Sequence, residues 1–549
     1  MSSPTELEFT SRRSPIYGLG GTVATSQPLA VAAGLEVLSH GGNAADAAVA
    51  TAAALNVTEP TSTGLGGDCF ALYFQASTGQ ITALNGSGRA PAGLTIECLR
   101  KEGLADDLPQ FHPYTITVPG ACAGWCDLLA RHGRLPISQV LAPAIRLSEE
   151  GFPVSPVIAY YWSRGARRLS NVPGGIEMTI DGRAPRAGEI FHNPGLARTL
   201  RRIVEGGKTA FYQGEIAEAI AYVVQQAGGC LTVDDLAAHT STWEQPISTT
   251  YRNVRVWECP PNGQGLAALL ALNLLEGYDI GSLPPLSTQR LHLMIESMRL
   301  AFADASWYVA DPAYNPAPLE WLLSRDYALQ RRKLIHPDHA TFDQPHGSPI
   351  AASDTVYLSV VDAEGNACSF INSNYDGFGT GIIPSGWGFT LQNRGSGFSL
   401  DPAHPNALAP GKRPYHTIIP GMITVDSNGL PTIPNSLYAS FGVMGGFMQP
   451  QGHMQVVVAL VDDLADSQAA LDRPRFRIYD ESAGGKVALE EGIPTDVQGE
   501  LEEMGHRVNT VSGYARSAFG RGQIIRREAI TGVLCGGSDP RADGCAMSL

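Results

Sequence analysis

Apolar residues recur at helical spacing in three long stretches of the chain. The spacing over residues 26–40 predicts a helix with Ser26 as its cap, ended by the glycine pair that follows. Asn43 is the predicted cap of a second, alanine-rich helix that runs through Leu55, because Asp46 suits the positive end of a helix. A third helix is predicted over residues 287–308, where an apolar stripe indicates a face that packs into the core.

The C-terminal third of the chain favours β-strands. Residues 356–361 and 367–373 flank the sequence Asp-Ala-Glu-Gly-Asn, which predicts a hairpin turn at residues 362–366. A second turn of the same kind is predicted at residues 426–429, after the apolar run 422–425. Helices therefore gather early and antiparallel strands late, which favours antiparallel sheets covered by helices.

Composition narrows the class of protein. The chain has 549 residues, 44% of them hydrophobic and 17% charged, which is typical of an ordered globular protein with a large core. Its 53 acidic and 38 basic residues give a net charge of −15, which argues against nucleic acid or an anionic membrane as a main partner. The apolar runs are too short for a spanning helix, and residues 1–17 lack the apolar core of a secretory signal, so we expect a cytoplasmic protein.

The cysteine and histidine positions do not indicate a disulfide framework or a metal site. Nine cysteines form an odd and sparse set, which favours reduced thiols. Cys122 and Cys126 lie four positions apart without a second pair, so we expect no zinc. His292 and Glu296, four apart on the third predicted helix, are expected to be satisfied core or surface groups rather than metal ligands. The phosphate loop, the dinucleotide fingerprint, the zinc-protease motif and the serine elbow are all missing from the sequence.

Several stretches without helical or strand periodicity remain. Residues 64–67, 377–381 and 442–446 are glycine-rich, which is typical of β-turns and also of backbone N–H groups presented to a ligand. Residues 1–15 and 337–353 lack periodicity, and a long stretch of this kind inside a compact enzyme indicates a functional loop or a processing site. Thr355 lies two positions after the end of the second stretch, at the start of the predicted hairpin.

Taken together with the motifs around it, Thr355 makes the chain resemble the γ-glutamyltransferase family of N-terminal-nucleophile hydrolases. The matching motifs run in the family's order through nearly the whole chain. They are GGNAADAA at 41–48, VPG at 118–120, PP at 260–261, DP at 311–312, SVVD at 359–362, GNA at 365–367, FGTG at 378–381, KRP at 412–414, GG at 445–446, PRF at 474–476 and SDPR at 538–541. Each motif is weak by itself, but the ordered set is specific.

The resemblance implies that the chain is a precursor that cleaves itself between Asp354 and Thr355. The products would be residues 1–354 and the remaining 195 of the 549 residues, 355–549. The family's fold is an α+β four-layer αββα sandwich, two stacked antiparallel sheets between helical layers, and both fragments would intertwine in it as one domain. The resemblance implies a heterodimer of these fragments, with higher oligomers left open, and no metal or cofactor.

The resemblance also implies the catalytic roles. Cleavage frees the α-amino group of Thr355, whose reference pKa of ~7.7–8.0 makes it a built-in base for the threonine hydroxyl. Gly445 and Gly446 match the glycines of the family's oxyanion hole. Ser373 stands where the family has a second threonine that supports the nucleophile; the alternative is an ordinary strand residue.

The substrate-binding positions depart from the family's pattern. Tyr375 stands for an asparagine, Arg394 for a glutamine, Gly397 for the aspartate that holds the α-ammonium of glutamate, His416 and Thr417 for a serine pair, and Arg89 lies two positions from the place of the carboxylate-binding arginine. The changes remove one negative charge and add one positive charge, each worth a few kcal/mol within ~4 Å of a ligand before solvation costs. We therefore expect a site that accepts a carboxylate and discriminates against an α-ammonium.

Three functions follow as hypotheses. The leading one is a self-processing amide hydrolase or acyltransferase with a γ-glutamyl-like acyl site, acting on a small-molecule amide and passing the acyl group to water, an amine or a dipeptide. An alternative is an acidic acyl group without the α-amino group, as in the cephalosporin acylases and oxamate amidohydrolases of the superfamily; the opposite case is that other residues rebuild the ammonium site. A non-catalytic binding protein is the third, and the joint presence of Thr355, Ser373 and the Gly445-Gly446 pair argues against it.

Overall fold

Two large antiparallel sheets organise the molecule. The computed structural model describes residues 13–104, 108–342, 354–425, 436–479 and 485–549. The strands are β1 (Ile16–Gly18), β2 (Gly21–Thr25), β3 (Asp68–Gln75), β4 (Gln80–Gly86), β5 (Phe152–Pro153), β6 (Ile190–Phe191), β7 (Thr242–Glu244), β8 (Ile247–Tyr251), β9 (Val254–Glu258), β10 (Asp354–Asp362), β11 (Ala367–Tyr375), β12 (Gly421–Val425), β13 (Ser436–Met444), β14 (Phe476–Ile478), β15 (Val487–Glu490), β16 (Val508–Val511), β17 (Arg521–Arg527), β18 (Leu534–Ser538) and β19 (Cys545–Ser548).

The helices cover both sheets. They are α1 (Pro28–Ser39), α2 (Ala44–Thr58), α3 (Ile96–Lys101), α4 (Ala121–His132), α5 (Ile137–Glu150), α6 (Pro156–Leu169), α7 (Pro194–Tyr212), α8 (Glu215–Gln226), α9 (Val233–Ala237), α10 (Gly265–Leu275), α11 (Thr288–Tyr308), α12 (Leu319–Leu322), α13 (Arg325–Arg332), α14 (Met448–Val461), α15 (Ser467–Asp472) and α16 (Thr495–Glu503). Short 3₁₀ turns lie at Pro113–Thr115, Gly175–Met178, Ile280–Ser282, Arg394–Gly397 and Gly513–Phe519.

The strand order shows how the sheets are built. Sheet I has the order β1-β18-β17-β13-β12-β9-β8, and sheet II has the order β19-β2-β10-β11-β3-β4-β7. All the neighbouring strands in both sheets pair antiparallel. A three-stranded sheet, β14-β15-β16, and the β5–β6 pair lie outside them.

Three apolar clusters define four layers. One lies between the sheets and joins Phe70 and Ile371 of sheet II to Met422 and Ile525 of sheet I. A second joins α1, α2 and α5 to the other face of sheet II, and a third joins α10, α11 and α14 to the other face of sheet I. The four-layer αββα sandwich expected for the fold is therefore confirmed.

The predicted helices are confirmed with small shifts at their ends. The first begins at Pro28, after Gln27 rather than Ser26 as the cap. Asn43 caps α2: its side chain accepts from the backbone N–H of Asp46, and the Asp46 side chain accepts from the backbone N–H of Asn43. The helix continues to Thr58. All the residues of α2 are buried, which explains its alanines: small side chains let it pack between α1 and sheet II.

The predicted hairpin is also confirmed. Strands β10 and β11 pair antiparallel, and Gly365 in their turn has φ +84°. Asp362 Oδ1 accepts from the backbone N–H of Glu364 and of Asn366, both at 3.0 Å, so the aspartate fixes the turn. The turn predicted at 426–429 lies outside the described residues, as do residues 1–12 and 343–353 of the two aperiodic stretches.

Candidate active site

Thr355 lies at an irregularity in the centre of sheet II. Asp354 pairs with Tyr375 and Val356 pairs with Asn372, so Thr355 faces two residues of β11, Ser373 and Asn374. Such a bulge bends the strand and redirects a side chain. Thr355 has no exposed surface in the uncleaved chain, and its Oγ1 lies 3.1 Å from Ser373 Oγ.

Ser373 connects the threonine to two other predicted site residues. Its Oγ accepts from the Tyr375 backbone N–H at 2.9 Å and from Arg394 Nη2 at 3.2 Å. Tyr375 has φ +78°, a left-handed conformation that costs about 1–3 kcal/mol in a non-glycine residue and persists only where the surroundings impose it. A hydroxyl that bonds to a cation polarises more easily, so Ser373 is suited to stabilise charge that develops on Thr355 Oγ1.

Arg394 is a fully buried cation held by neutral groups. Its Nη1 donates to Thr417 Oγ1 at 2.7 Å, and its guanidinium lies 4.1 Å from the centre of the Tyr375 ring. Its Nε has no hydrogen-bond partner, and no carboxylate in the described parts of the chain lies within ion-pair distance of the guanidinium. Burial lowers the pKa of Arg394 to about 10, which leaves it charged at neutral pH.

The two candidate oxyanion glycines adjoin this cluster. Gln264 Nε2 donates to the carbonyl oxygen of Thr417 at 2.6 Å and to that of Gly446 at 2.9 Å, so one side chain ties the Arg394 contacts to the glycine pair. Gly445 and Gly446 have φ of +135° and +60°, conformations that favour glycine. They precede α14, where backbone N–H groups at a helix start carry partial positive charge.

His416 is held by a residue that the sequence did not single out. Its Nε2 lies 3.0 Å from Asp68 Oδ2, and the Ile418 N–H donates to its Nδ1 at 3.4 Å. Both ring nitrogens thus contact protein groups, which places the proton on Nε2. Burial, followed by the charge of Arg394, lowers the pKa of His416 to about 4, so the ring is neutral at pH 7. His416 therefore presents no charge to the site, and its two ring nitrogens fix it between Asp68 and Ile418.

Asp68 joins three segments of the chain behind the site. Its Oδ1 accepts from the backbone N–H of Gly88, from that of Gly120 and from Gln392 Nε2, each at 3.0 Å. The glycine-rich stretch 64–67 comes directly before it, and that stretch is the signal that could have identified Asp68. A Cβ on Gly67 would lie 2.2 Å from the Ser373 carbonyl oxygen, so the glycines let the chain pass directly behind β11.

Arg89 is not brought to the cluster. It is half-buried, and its Nη1 donates to the Thr240 carbonyl at 3.3 Å. Arg413 donates to the same carbonyl, also at 3.3 Å. None of the described contacts joins Arg89 to Thr355, Ser373 or Arg394, so its role in substrate binding stays a prediction.

Comparison with known proteins decides the family. A family model described as gamma-glutamyltranspeptidase matches residues 30–549. The chain belongs to the γ-glutamyltranspeptidase family. A Bacillus subtilis protein named glutathione hydrolase-like YwrD proenzyme is 37% identical over 97% of this chain and 99% of its own length. The acylase ACY 1 proenzyme of Pseudomonas sp. (strain SE83) is 33% identical over 100% of this chain and 96% of its own.

A solved structure agrees with these relatives. The crystal structure of a cephalosporin acylase from Bacillus halodurans superposes with a TM-score of 0.90 at 46% identity, covering 100% of this chain and 99% of that one. This γ-glutamyltranspeptidase-family chain is thus an enzyme of the amide hydrolase and acyltransferase class, and the expected N-terminal-nucleophile fold is confirmed.

Other features bear on cofactors and membranes. Within the described ranges, no group of three or more His, Cys, Asp or Glu side chains is placed to hold a metal ion, and no helix is both long and apolar enough to cross a bilayer. The nine cysteines are free thiols. His292 is buried in α11 against His506, with 2.8 Å between Nδ1 and Nε2, which confirms a core role for that histidine.

Proposed function

We propose that the chain cleaves itself between Asp354 and Thr355 and then hydrolyses amides whose acyl group ends in a carboxylate. The observation that supports this acyl group is that the Arg394 guanidinium is fully buried and makes no ion pair with the described residues. A buried guanidinium without an ion-pair partner costs several kcal/mol in the empty enzyme, and a substrate carboxylate would offset that cost. Arg394 shares Ser373 Oγ with Thr355, so the carboxylate and the scissile carbonyl would lie a few bonds apart.

The chemistry that we assign to these residues is acyl transfer through an ester. The α-amino group of Thr355 takes the proton of its own hydroxyl, and Oγ1 attacks the amide carbon while the carbonyl oxygen becomes negative against Gly445 and Gly446. The carbon–nitrogen bond breaks, the proton passes to the leaving amine, and an ester on Thr355 remains. Water attacks this ester and releases a dicarboxylic acid; a second amine in place of water gives transfer instead.

The topology supports a heterodimer that stays together after cleavage. In sheet II, β11, β19 and all of β10 after Asp354 come from residues 355–549; β2 of the first segment lies between β19 and β10, and β3 of the first segment pairs with β11. In sheet I, β9 of the first segment pairs with β12 of the second, and β1 of the first segment pairs with β18 of the second. Separating the fragments would break backbone hydrogen bonds in both sheets, so the two segments form one domain in this proposal.

The test compares acyl groups that differ only in charge. Glutaryl-, pentanoyl- and γ-glutamyl-4-nitroanilide share one leaving group, and pentanoyl replaces the glutaryl carboxylate by a methyl group. We expect kcat/KM for the glutaryl compound to exceed that for the pentanoyl compound about a hundredfold, the worth of a charge-assisted bond of about 3 kcal/mol. Succinyl and oxalyl anilides then set the chain length. Equal rates with glutaryl and pentanoyl would contradict the proposal.

A specific contact favours γ-glutamyl amides as the second candidate. Asp376 is buried next to Tyr375, and its Oδ2 accepts from Gln110 Nε2 and Asn393 Nδ2, both at 2.6 Å. It lines a pocket together with Gly445, where a carboxylate could receive an α-ammonium. If this site operates, Asp376→Asn lowers kcat/KM for the γ-glutamyl anilide about tenfold or more and spares the glutaryl anilide.

A further inference from the structure

One glutamine side chain lies between the candidate oxyanion glycines and the cluster around Arg394. Gln264 comes directly before α10 and has no exposed surface. Its Nε2 donates to the carbonyl oxygens of Thr417 and Gly446, at 2.6 Å and 2.9 Å. Thr417 Oγ1 in turn accepts from Arg394 Nη1 at 2.7 Å. A chain of hydrogen bonds through Gln264 therefore joins the buried arginine to the glycine pair.

The amide of Gln264 is itself held in one orientation. The Tyr415 hydroxyl donates to Gln264 Oε1 at 3.0 Å, and the backbone N–H of Gln264 donates to the His416 carbonyl oxygen at 2.9 Å. Both protons of Nε2 and the oxygen Oε1 thus have protein partners. A buried amide whose bonds are all made is rigid, so it fixes the distance between the groups that it joins.

The glycine turn needs a support of this kind. A backbone that consists of two glycines is conformationally permissive, whereas an oxyanion hole requires N–H groups that already point at the developing charge. The first turn of α14 holds the carbonyl oxygens of Gly445 and Gly446 through its own N–H groups, at 3.0 Å and 3.1 Å. Gln264 adds a bond from outside that helix. It therefore sets where Gly446 lies relative to the Arg394 cluster.

We propose that Gln264 is a positioning residue for acyl transfer, which aligns the oxyanion glycines with the acyl group that Arg394 holds. The inference rests on the proposed function, since it takes Thr355 as the nucleophile and the glycine pair as the oxyanion hole. Gln264 acts through Gly446 rather than on a reacting atom. Its effect therefore falls on the transition state, where the carbonyl oxygen is negative, and not on binding of the acyl group in the ground state.

Kinetics on the fully cleaved protein test this role first. Gln264→Met keeps the length of the side chain and removes both donors. For glutaryl-4-nitroanilide we expect kcat to fall about tenfold and KM to change less than about twofold, since outright loss of an oxyanion donor costs about a hundredfold or more.

Gln455→Met is the matched control for this variant. Gln455 lies in α14 and is also buried; its Nε2 donates to the carbonyl oxygens of Gln451 and Phe476, at 3.0 Å and 3.1 Å, and its Oε1 accepts from the Phe476 N–H. The same number of hydrogen bonds is lost, so damage to the fold is matched, but kcat should stay within about twofold of wild type. An equal fall in kcat in both variants would overturn the assignment.

A pair of inhibitors separates the transition state from the bound acyl group. Glutarate represents the acyl group in the ground state, and 4-boronobutanoate carries boron in place of one carboxyl carbon. Thr355 Oγ1 adds to the boron, its proton passes to the α-amino group, and the boron becomes tetrahedral and negative, like the reacting carbon and its oxygen. Gln264→Met should weaken the boronate about tenfold and glutarate less than about twofold. Equal weakening of both inhibitors would overturn the proposal, because a merely damaged site loses both.

The conservative variant Gln264→Glu supplies a rescue that depends on pH. A protonated carboxyl group can donate to one of the two carbonyl oxygens and accept from Tyr415, whereas an ionised one has no proton to donate. Burial lowers the pKa of His416 to about 4 and that of Arg394 to about 10, so neither neighbour changes charge between about pH 5 and pH 8. Since burial raises the pKa of a carboxyl group, the ratio of variant to wild-type kcat should fall about tenfold over this range, and the ratio for Gln264→Met should stay constant. A constant ratio for Gln264→Glu would contradict the role of the donated bond.

The acyl proposal and the positioning proposal fail in different ways. If wild type hydrolyses the glutaryl and pentanoyl anilides equally and Gln264→Met still lowers kcat for both, the acyl proposal is wrong and the positioning role stands. If the glutaryl preference is present and Gln264→Met leaves kcat unchanged, the positioning role alone is wrong. Should Gln264→Met not give folded, cleaved protein, Tyr415→Phe takes its place; it removes the hydroxyl that orients the amide, and kcat should fall about threefold at constant KM. An unchanged kcat in Tyr415→Phe would then overturn the proposal.

Discussion

Replacing Arg394 with glutamine tests the acyl site at the residue where this chain departs from its family's motif. The change removes one charge and keeps a side chain that can still donate to Thr417 Oγ1 or Ser373 Oγ. In the wild-type enzyme we expect the substrate carboxylate to meet a cation whose hydrogen-bond partners, Thr417 and Ser373, are neutral. The charge-assisted bond is worth about 3 kcal/mol, so kcat/KM for glutaryl-4-nitroanilide should fall about a hundredfold.

The pentanoyl anilide provides the internal reference for this variant. Any damage to Ser373 or Thr355 lowers both rates alike, whereas loss of carboxylate recognition lowers the glutaryl rate alone. The glutaryl-to-pentanoyl ratio should therefore collapse from about a hundred to near one. A ratio that stays high in Arg394→Gln would refute the role of Arg394, whatever the absolute rates.

Stability supplies a second readout. Since Arg394 has no ion pair within the described chain, its removal should leave the melting temperature unchanged or raise it. Arg290→Gln is the matched control, because Arg290 is equally buried but pairs with Asp463 at 2.7 Å. That variant should lower the free energy of unfolding by about 1–3 kcal/mol and leave the acyl preference intact.

Four further predictions concern the nucleophile, the serine that supports it and the stability of the surrounding fold. Thr355→Ala should stay a single chain in denaturing electrophoresis. Ser373→Ala should slow cleavage and turnover about ten- to a hundredfold, because it removes the hydrogen bond to Thr355 Oγ1. Ser373→Thr keeps a hydroxyl and is the active control. The pKa of His416 is lowered to about 4 in the folded chain, so the free energy of unfolding is highest above pH ~6.5 and falls by up to about 3 kcal/mol as the pH drops to 4. Urea unfolding compares Thr355→Ala, which stays uncleaved, with the double variant Thr355→Ala/His416→Gln. The double variant should lose less stability between about pH 6.5 and pH 4. Gly66→Ala should lower the melting temperature, since its Cβ would lie 2.0 Å from a carbonyl oxygen, whereas Gly499→Ala, in open space on α16, should raise it slightly.

Local signals in the sequence predicted the elements that position the site. The two strand-like runs 356–361 and 367–373 and the turn residues between them predicted the β10–β11 hairpin, because a hairpin is formed by residues that are close together in the sequence. The Asn43 cap was predictable for the same reason, since the capping bonds span three residues. The layer arrangement needed the family resemblance, because packing of sheets I and II depends on contacts between distant segments.

The electrostatics of the site were not predictable from the sequence. Arg394 was visible as a substitution, but its burial against Ser373, Tyr375 and Thr417 depends on how distant segments of the chain fold together. Asp68 gave no signal beyond the glycines before it, because its partners at Gly88, Gly120, Gln392 and His416 converge only in three dimensions. The sequence also suggested Arg89 for the substrate; its guanidinium donates to the Thr240 carbonyl, and its role in substrate binding stays a prediction.

The mass of the purified protein, with N-terminal sequencing of its fragments, tests the central claim most directly. We predict two fragments that remain associated under native conditions, the smaller beginning Thr355-Val356-Tyr357. A single stable chain with Thr355 internal after long incubation, or a cleavage at any other bond, would contradict the proposed nucleophile and the mechanism built on it.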